Sequence, residues 1–286
     1  MCDRPRASLG VKLSDRSAPG KKGSPDGEAL LQVQSLVKDF GGLRAVNHCT
    51  LEVKRGTITG LIGPNGAGKT TLFNLISGFY RPDSGRVYFG GDDITGLPPH
   101  DIFGRGLCRT FQIPREHKSM TVLENVMLVP PKQMGERFWN PILRPGAVNK
   151  QEEEIRDKAL TVLEFVTLDH LRDEYASNLS GGQKKLLELA KTLMADPEMV
   201  LLDEPAAGVN PTLMGRIREK IEQLSAERGI TFLLIEHDMP LVMGLCNPVI
   251  VMNMGARLAE GPPETVRNDP HVLEAYLGGQ YVATHG

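Results

Sequence analysis

A nine-residue stretch, Gly63-Pro-Asn-Gly-Ala-Gly-Lys-Thr-Thr71, constrains the possible folds more than any other feature, because it fits the pattern GxxxxGK[ST]. It lies between a near-continuous apolar run, Thr57 to Ile62, and the helically spaced segment Thr71 to Ile76, so it reads as the turn from a buried strand into a helix. That placement gives the residues a job. Gly63, Pro64, Asn65, Gly66, Ala67 and Gly68 form a loop whose backbone N–H groups can turn inward onto a β-phosphate, and the helix N-terminus adds its positive dipole end. Lys69 then reaches the β- and γ-oxygens, Thr70 is placed to ligate Mg²⁺, and Thr71 completes the motif. A nucleoside triphosphate site on an α/β fold is the expectation.

Two later runs, Met199 to Leu202 and Thr231 to Ile235, are short and apolar and lead directly into acidic or histidine residues, as buried parallel strands ending at a site do. The first delivers Asp203 toward a Mg²⁺ shell and Glu204 beside it, where a carboxylate can take a proton from an attacking water. The second leads through Glu236 to His237. Leu30 to Leu36 and Thr50 to Val53 alternate at period two and read as antiparallel edge strands. Strand signals vanish between Pro114 and Leu179, where Val122 to Val129 and Gln151 to Leu168 have helical spacing, the latter with an acidic first turn. Pro130 to Val148, which holds the only tryptophan, Trp139, reads as an irregular excursion. The expected fold is therefore a mostly parallel P-loop NTPase (RecA-like) core with an antiparallel β edge and an α-helical subdomain at about 114–195. One ATPase domain spans 29–286, after a flexible tail over 1–28.

Composition narrows the alternatives. The formal net charge of −2 over 286 residues supplies no general basic field for nucleic acid. The cysteines Cys2, Cys49, Cys108 and Cys246 form no CxxC pair, which fits a reducing compartment. Apolar runs such as Pro248 to Met252 fall far short of the roughly 20 residues that cross a bilayer.

The most diagnostic segment is Asn178-Leu-Ser180-Gly181-Gly182-Gln183, a serine and two glycines at a helix start, which makes a second anion site apart from the first. It resembles the LSGGQ signature of ABC ATPases. That resemblance implies that Ser180, Gly181, Gly182 and Gln183 complete the γ-phosphate site of an opposite subunit, with two ATP molecules sandwiched in a head-to-tail dimer. By the same resemblance Phe40 matches the aromatic position that stacks on adenine. Gln112, in Arg109-Thr-Phe-Gln-Ile, matches the glutamine that touches Mg²⁺ or the attacking water, and His237 matches the histidine that contacts the γ-phosphate.

Within the ABC family the closest likeness is to ATP-binding subunits of bacterial importers for branched-chain amino acids and related small polar solutes. It is carried by Phe40-Gly-Gly-Leu-Arg-Ala-Val-Asn47, Thr110-Phe-Gln112, Met120-Thr-Val-Leu-Glu-Asn125, Asp203-Glu-Pro-Ala-Ala-Gly-Val-Asn-Pro211, Ile235-Glu-His-Asp-Met239 and Val272-Leu-Glu-Ala-Tyr-Leu-Gly278. Asn210 and Glu236, where many ABC ATPases have Asp and Thr, read as marks of that branch. The resemblance implies transmembrane permease subunits and a second ABC ATPase subunit as partners, a periplasmic or surface solute-binding protein indirectly, and a peripheral place on the cytoplasmic face of the plasma membrane. Glu116-His117 departs from the apolar or aromatic pair expected on the surface that receives a coupling helix of the permease. Lys184-Lys185 is expected on an exposed helix face with little effect. Other readings are a homodimeric exporter or lipopolysaccharide-extraction ATPase, an ABC ATPase acting on DNA or ribosomes, and a small-molecule kinase. The last has no need of Leu179 to Gln183.

Overall fold

The computed structural model describes residues 28–110, 116–130, 133 and 145–283. Residues 1–27 of the expected N-terminal tail, Gln112 and Trp139 lie outside the described residues, while Glu28 accepts from Arg55 N at 3.1 Å just before β1.

In chain order the elements are β1 (Ala29–Phe40), β2 (Leu43–Lys54), β3 (Ile58–Ile62), α1 (Lys69–Ile76), β4 (Ser84–Phe89), β5 (Asp92–Asp93), α2 (Pro99–Gly104), β6 (Leu107–Arg109) and α3 (Val122–Met127). After these come α4 (Pro145–Phe165), α5 (Gly181–Met194), β7 (Met199–Asp203), α6 (Pro211–Arg228), β8 (Thr231–Ile235), α7 (Met239–Leu245), β9 (Val249–Asn253), β10 (Ala256–Gly261), α8 (Pro263–Arg267) and α9 (Pro270–Ala283). The larger sheet has the order β10-β9-β3-β8-β7-β6, parallel except for the β9–β10 hairpin. The expected parallel core is therefore present.

Strands β7 and β8 are buried along their whole length because both faces of this sheet are covered. Alternate residues serve the two sides. Leu201, Leu233 and Ile235 join Leu72 and Phe73 of α1 and Leu31 and Val33 of β1 in one core. Val200, Leu202, Phe232 and Leu234 join Val126, Leu163, Leu187 and Ile221 from the helices in the other.

The antiparallel strands depart from the sequence expectation. They form a sheet of their own, β2-β1-β4-β5, and β1 lies inside it between β2 and β4 where the alternation predicted an edge. Period-two alternation reports one solvated face and says nothing about neighbours in the hydrogen-bonding direction. The helical region also differs. No strand occurs among the described residues between β6 and β7, as expected, but α4 already includes Pro145 to Val148, which read as irregular. Glu152 to Glu154 accordingly lie in the body of α4, and its first turn holds no acid. Proline is compatible with a first helical turn, which a break-signal reading overlooks.

Candidate functional site

The parallel strands end on one side of the sheet, and the chemistry is gathered there. The loop after β3 needs its glycines: Gly63 has φ of 149° and Gly68 of 93°. A Cβ would stand 2.1 Å from the Met252 carbonyl oxygen at Gly63 and 2.3 Å from that of Ala45 at Gly68. Asn65, Gly66 and Thr70 are exposed, Pro64, Gly68 and Thr71 half-buried, and Ala67 buried. Lys69 is only 6% exposed, and its ammonium donates to the carbonyls of Gly63 (2.8 Å) and Pro64 (3.0 Å). Burial pulls its pKa below the ordinary lysine value, while the charges of Glu204 and Asp203 act in the opposite direction.

Asp203, at the end of β7, is buried, and its Oδ2 accepts from Arg109 Nη2 at 2.7 Å. Glu204 follows with φ of 49°, a left-handed conformation costly for a side-chain-bearing residue. Its backbone is pinned: its N–H donates to Ile235 O at 3.0 Å, and its carbonyl accepts from Lys185 Nζ at 2.8 Å and Ala207 N at 3.2 Å. Its Oε1 lies 3.3 Å from His237 Nε2. The structure thus brings Lys69, Asp203, Glu204 and His237 to one end of the sheet.

Glu236 has a role the sequence reading missed. Its carboxylate is 3% exposed and accepts from Ala206 N (2.6 Å), His237 N (3.0 Å) and Asp238 N (3.4 Å). One side chain therefore holds the segment after Glu204 against the segment carrying His237. Lys185 also departs from expectation. It is half-buried, and burial lowers its pKa against the charges of Glu236, Glu204 and Asp203. Lys184 pairs at 2.9 Å with Glu116, whose side chain is only 6% exposed. Neither lysine lies on a free helix face, and Glu116 is turned inward while His117 remains exposed. An inward lysine one turn from a Gly-Gly start is compatible with the helical period, but its partner is not visible in local sequence.

Ser180 stands at the N-cap of α5, where its hydroxyl accepts from Gln183 N (3.4 Å) and Gln183 Oε1 accepts from its N–H (2.8 Å). Ser180 and Gly181 are exposed, Gly182 is buried and Gln183 half-buried. Ser180 and Gln183 bond one another through this cap, and about one turn further along α5 Lys185 reaches the Glu204 carbonyl at 2.8 Å. Phe40 presents a 42% exposed residue, edge-on to Tyr80 with ring centroids 5.3 Å apart and Lys38 over its face at 5.6 Å. The second aromatic and the cation were not anticipated. Asn210 caps α6 by accepting from Leu213 N at 2.9 Å.

No group of three or more His, Cys, Asp or Glu residues able to hold a metal occurs among the described residues. Thr70 and Asp203 offer hard oxygen donors, the kind that suits Mg²⁺ when phosphate oxygens complete its shell. No described helix is long and apolar enough to cross a membrane.

Comparison with known proteins gives two family matches, "ABC transporter" over residues 46–207 and "Branched-chain amino acid ATP-binding cassette transporter" over residues 256–282. A probable branched-chain amino acid transport ATP-binding protein LivG of Archaeoglobus fulgidus is 49% identical over 251 residues, covering 88% of this chain and 96% of the relative. The high-affinity branched-chain amino acid transport ATP-binding protein BraF of Pseudomonas aeruginosa is 42% identical, covering 87% of this chain and 98% of its own length. Among solved structures, the ADP conformation of an ATP-binding cassette of an ABC transporter superposes with a TM-score of 0.75 at 41% identity, covering 88% of this chain and all of that one.

Proposed function

The chain belongs to the ABC transporter ATP-binding family, and from that premise we propose that it is the ATP-hydrolysing subunit of an importer for branched-chain amino acids or related small polar solutes. The observation that carries the proposal is the convergence of Lys69, Asp203, Glu204 and His237 at one sheet end, in a chain whose 256–282 segment matches the branched-chain family model. The matched C-terminal segment favours this reading over the exporter or lipopolysaccharide-extraction alternative.

In the proposed reaction the backbone N–H groups of Asn65 to Thr71 and the Lys69 ammonium hold the β- and γ-phosphates. Phe40 stacks on adenine, its ring braced edge-on by Tyr80. Water attacks the γ-phosphorus and gives its proton to the Glu204 carboxylate, and the bond from that phosphorus to the β–γ bridging oxygen breaks, leaving ADP and inorganic phosphate. His237, 3.3 Å from Glu204, orients that carboxylate and reaches the γ-phosphate. Thr70 and Asp203, with Gln112, would hold Mg²⁺, which neutralises developing phosphate charge. Ser180 to Gln183 of one subunit complete the site of a second, similar or identical. The cassette, 29–286 with its helical subdomain at about 114–195, docks on transmembrane permeases at the cytoplasmic face, and a solute-binding protein serves the complex indirectly.

The test has two arms. Affinity purification from native membranes is expected to retrieve permease subunits, a second cassette and a binding protein loaded with a branched-chain amino acid or similar solute. Lys69→Ala is expected to lower ATP hydrolysis by about 10²-fold or more with the fold intact by circular dichroism. Wild-type turnover in that variant would remove the site, whereas co-purification with nucleic acid or an export apparatus would remove the importer reading.

A further inference from the structure

We propose that Arg109 is a positioning residue that fixes the Asp203 carboxylate in register with the P-loop helix. The inference rests on the reading that Asp203 and Thr70 together ligate Mg²⁺.

The guanidinium is held through both terminal nitrogens. Its Nη2 donates to Asp203 Oδ2 at 2.7 Å, and its Nη1 donates to Asn74 Oδ1 at 2.6 Å and Ser77 Oγ at 3.2 Å. Its Cζ lies over the rings of Phe73 and Phe79, 5.7 Å from each centroid. The side chains of Arg109 and Asp203 are 10% and 4% exposed. Among the described residues its buried Nε has no hydrogen-bond partner, so the position of the group is set by its two terminal nitrogens.

Burial of an ion pair is poor evidence of a stability role, since the desolvation of both charges offsets much of their attraction. Geometry offers a better account. Asn74 lies four residues beyond Thr70 on α1, on the same face and about 6 Å along the axis. Arg109 therefore spans from the Asn74–Ser77 end of α1 to the end of β7, joining the helix that carries one metal ligand to the strand that carries the other. It engages Oδ2 of the carboxylate, a contact that dictates how the remaining oxygen is presented. A planar fork with donors at fixed angles can do this; a lysine ammonium keeps the charge but cannot hold both sides at once.

The test uses the full chain, a fluorescent ATP analogue and Mg²⁺ as the titrated probe. Arg109→Lys is expected to bind nucleotide without Mg²⁺ within about twofold of wild type, yet to need about 10-fold more Mg²⁺ for half-maximal tightening, the scale seen when a residue that orients a metal ligand is lost. Asn74→Ala, which leaves the Arg109–Asp203 pair intact and removes the shorter of its two anchors beside α1, should shift the Mg²⁺ requirement the same way by a smaller factor and should not add to Arg109→Lys. A folded Arg109→Lys and a folded Asn74→Ala that both keep the wild-type Mg²⁺ requirement would overturn the proposal; should Arg109→Lys not fold, Asn74→Ala alone decides. Asp203→Asn distinguishes the two layers: an unchanged Mg²⁺ requirement there would withdraw the metal role of Asp203, and the positioning role with it.

Discussion

The strand-end cluster and the N-terminus of α5, the two regions proposed to meet phosphate, are treated by the chain in opposite ways. At the sheet end Lys69, Asp203 and Glu236 are 6%, 4% and 3% exposed; Lys69 is held by carbonyls of its own loop, and Asp203 and Glu236 by groups from elsewhere in the chain. At α5, Ser180 and Gly181 are exposed, and the hydroxyl of Ser180 is occupied only by the local cap. The first region is organised by the chain itself. The second offers N–H donors outward at a helix start, which has a use if another molecule brings the phosphate.

The sharpest way to break this contrast is Glu204→Gln. The amide keeps the size of the carboxylate but cannot accept a proton from water. Loss of a general base corresponds to about 10² to 10⁴ in rate, while Lys69, Thr70 and Asp203 remain for binding. Size-exclusion chromatography with Mg·ATP and the partner cassette present should show a dimer that persists, and phosphate release should stall. Release at the wild-type rate would move the water-activating role elsewhere, with His237, 3.3 Å away, the next candidate.

Next in size is Ser180→Arg, which sharpens the contrast from the other side. An arginine crowds the helix start and removes a capping hydroxyl, at a stability cost of about 1 kcal/mol. ATP binding by the isolated monomer, read by fluorescence titration, is expected to stay within about twofold, while ATP-driven dimerisation is lost. Equal loss of monomer binding would place Ser180 in the chain's own site and dissolve the comparison.

The difference between the two regions also explains what was legible beforehand. Gly63 to Thr71, Asp203, Glu204, His237 and Ser180 are readable because the turn, strand end or cap that displays each one lies within a few residues of it. Arg109, Lys185, Glu236 and Glu116 escaped for one shared reason. Their partners lie 94, 19, 30 and 68 residues away, so nothing in local spacing announces the contact. Lys184 and Lys185 read as a solvated pair because charge on a helix usually is solvated; distant partners, Glu116 for Lys184 and the Glu204 carbonyl for Lys185, turn them inward. The antiparallel strands were legible as strands but not as an independent sheet, since pairing order is set by tertiary contacts.

The smallest expected effect concerns the Glu116–Lys184 pair, which ties the segment leading out of β6 to the helix that carries Ser180. Burial pushes the Glu116 carboxyl upward, but the hydrogen bond from Lys184, its own backbone N–H and the charges of Lys184 and Lys118 outweigh it and hold the pKa below its ordinary value near 4.5. A depressed carboxylate contributes stability that is present above the unfolded-state pKa and is lost as pH falls through the folded-state value. Lys184→Met should therefore destabilise the chain at pH 7 by about 1–3 kcal/mol, between the range of exposed pairs and that of fully buried ones. The gap to wild type should narrow as the pH drops below about 4.5. Urea melts at pH 7 and pH 4 measure it, and a gap that stays constant or widens in acid would show that the pair contributes packing and no electrostatics. Glu116→Leu should lose stability in the same way, because it leaves Lys184 without its partner. His117 is exposed and its backbone N–H donates to Asn125 Oδ1 at 2.8 Å, so His117→Leu tests the proposed permease-facing surface without disturbing the pair. The expected result is a change of a few-fold or less in stimulation by the permease, with basal hydrolysis and the urea midpoint unaltered. A fall in basal hydrolysis would instead join this segment to the strand-end chemistry and erase the boundary between the two regions on that side.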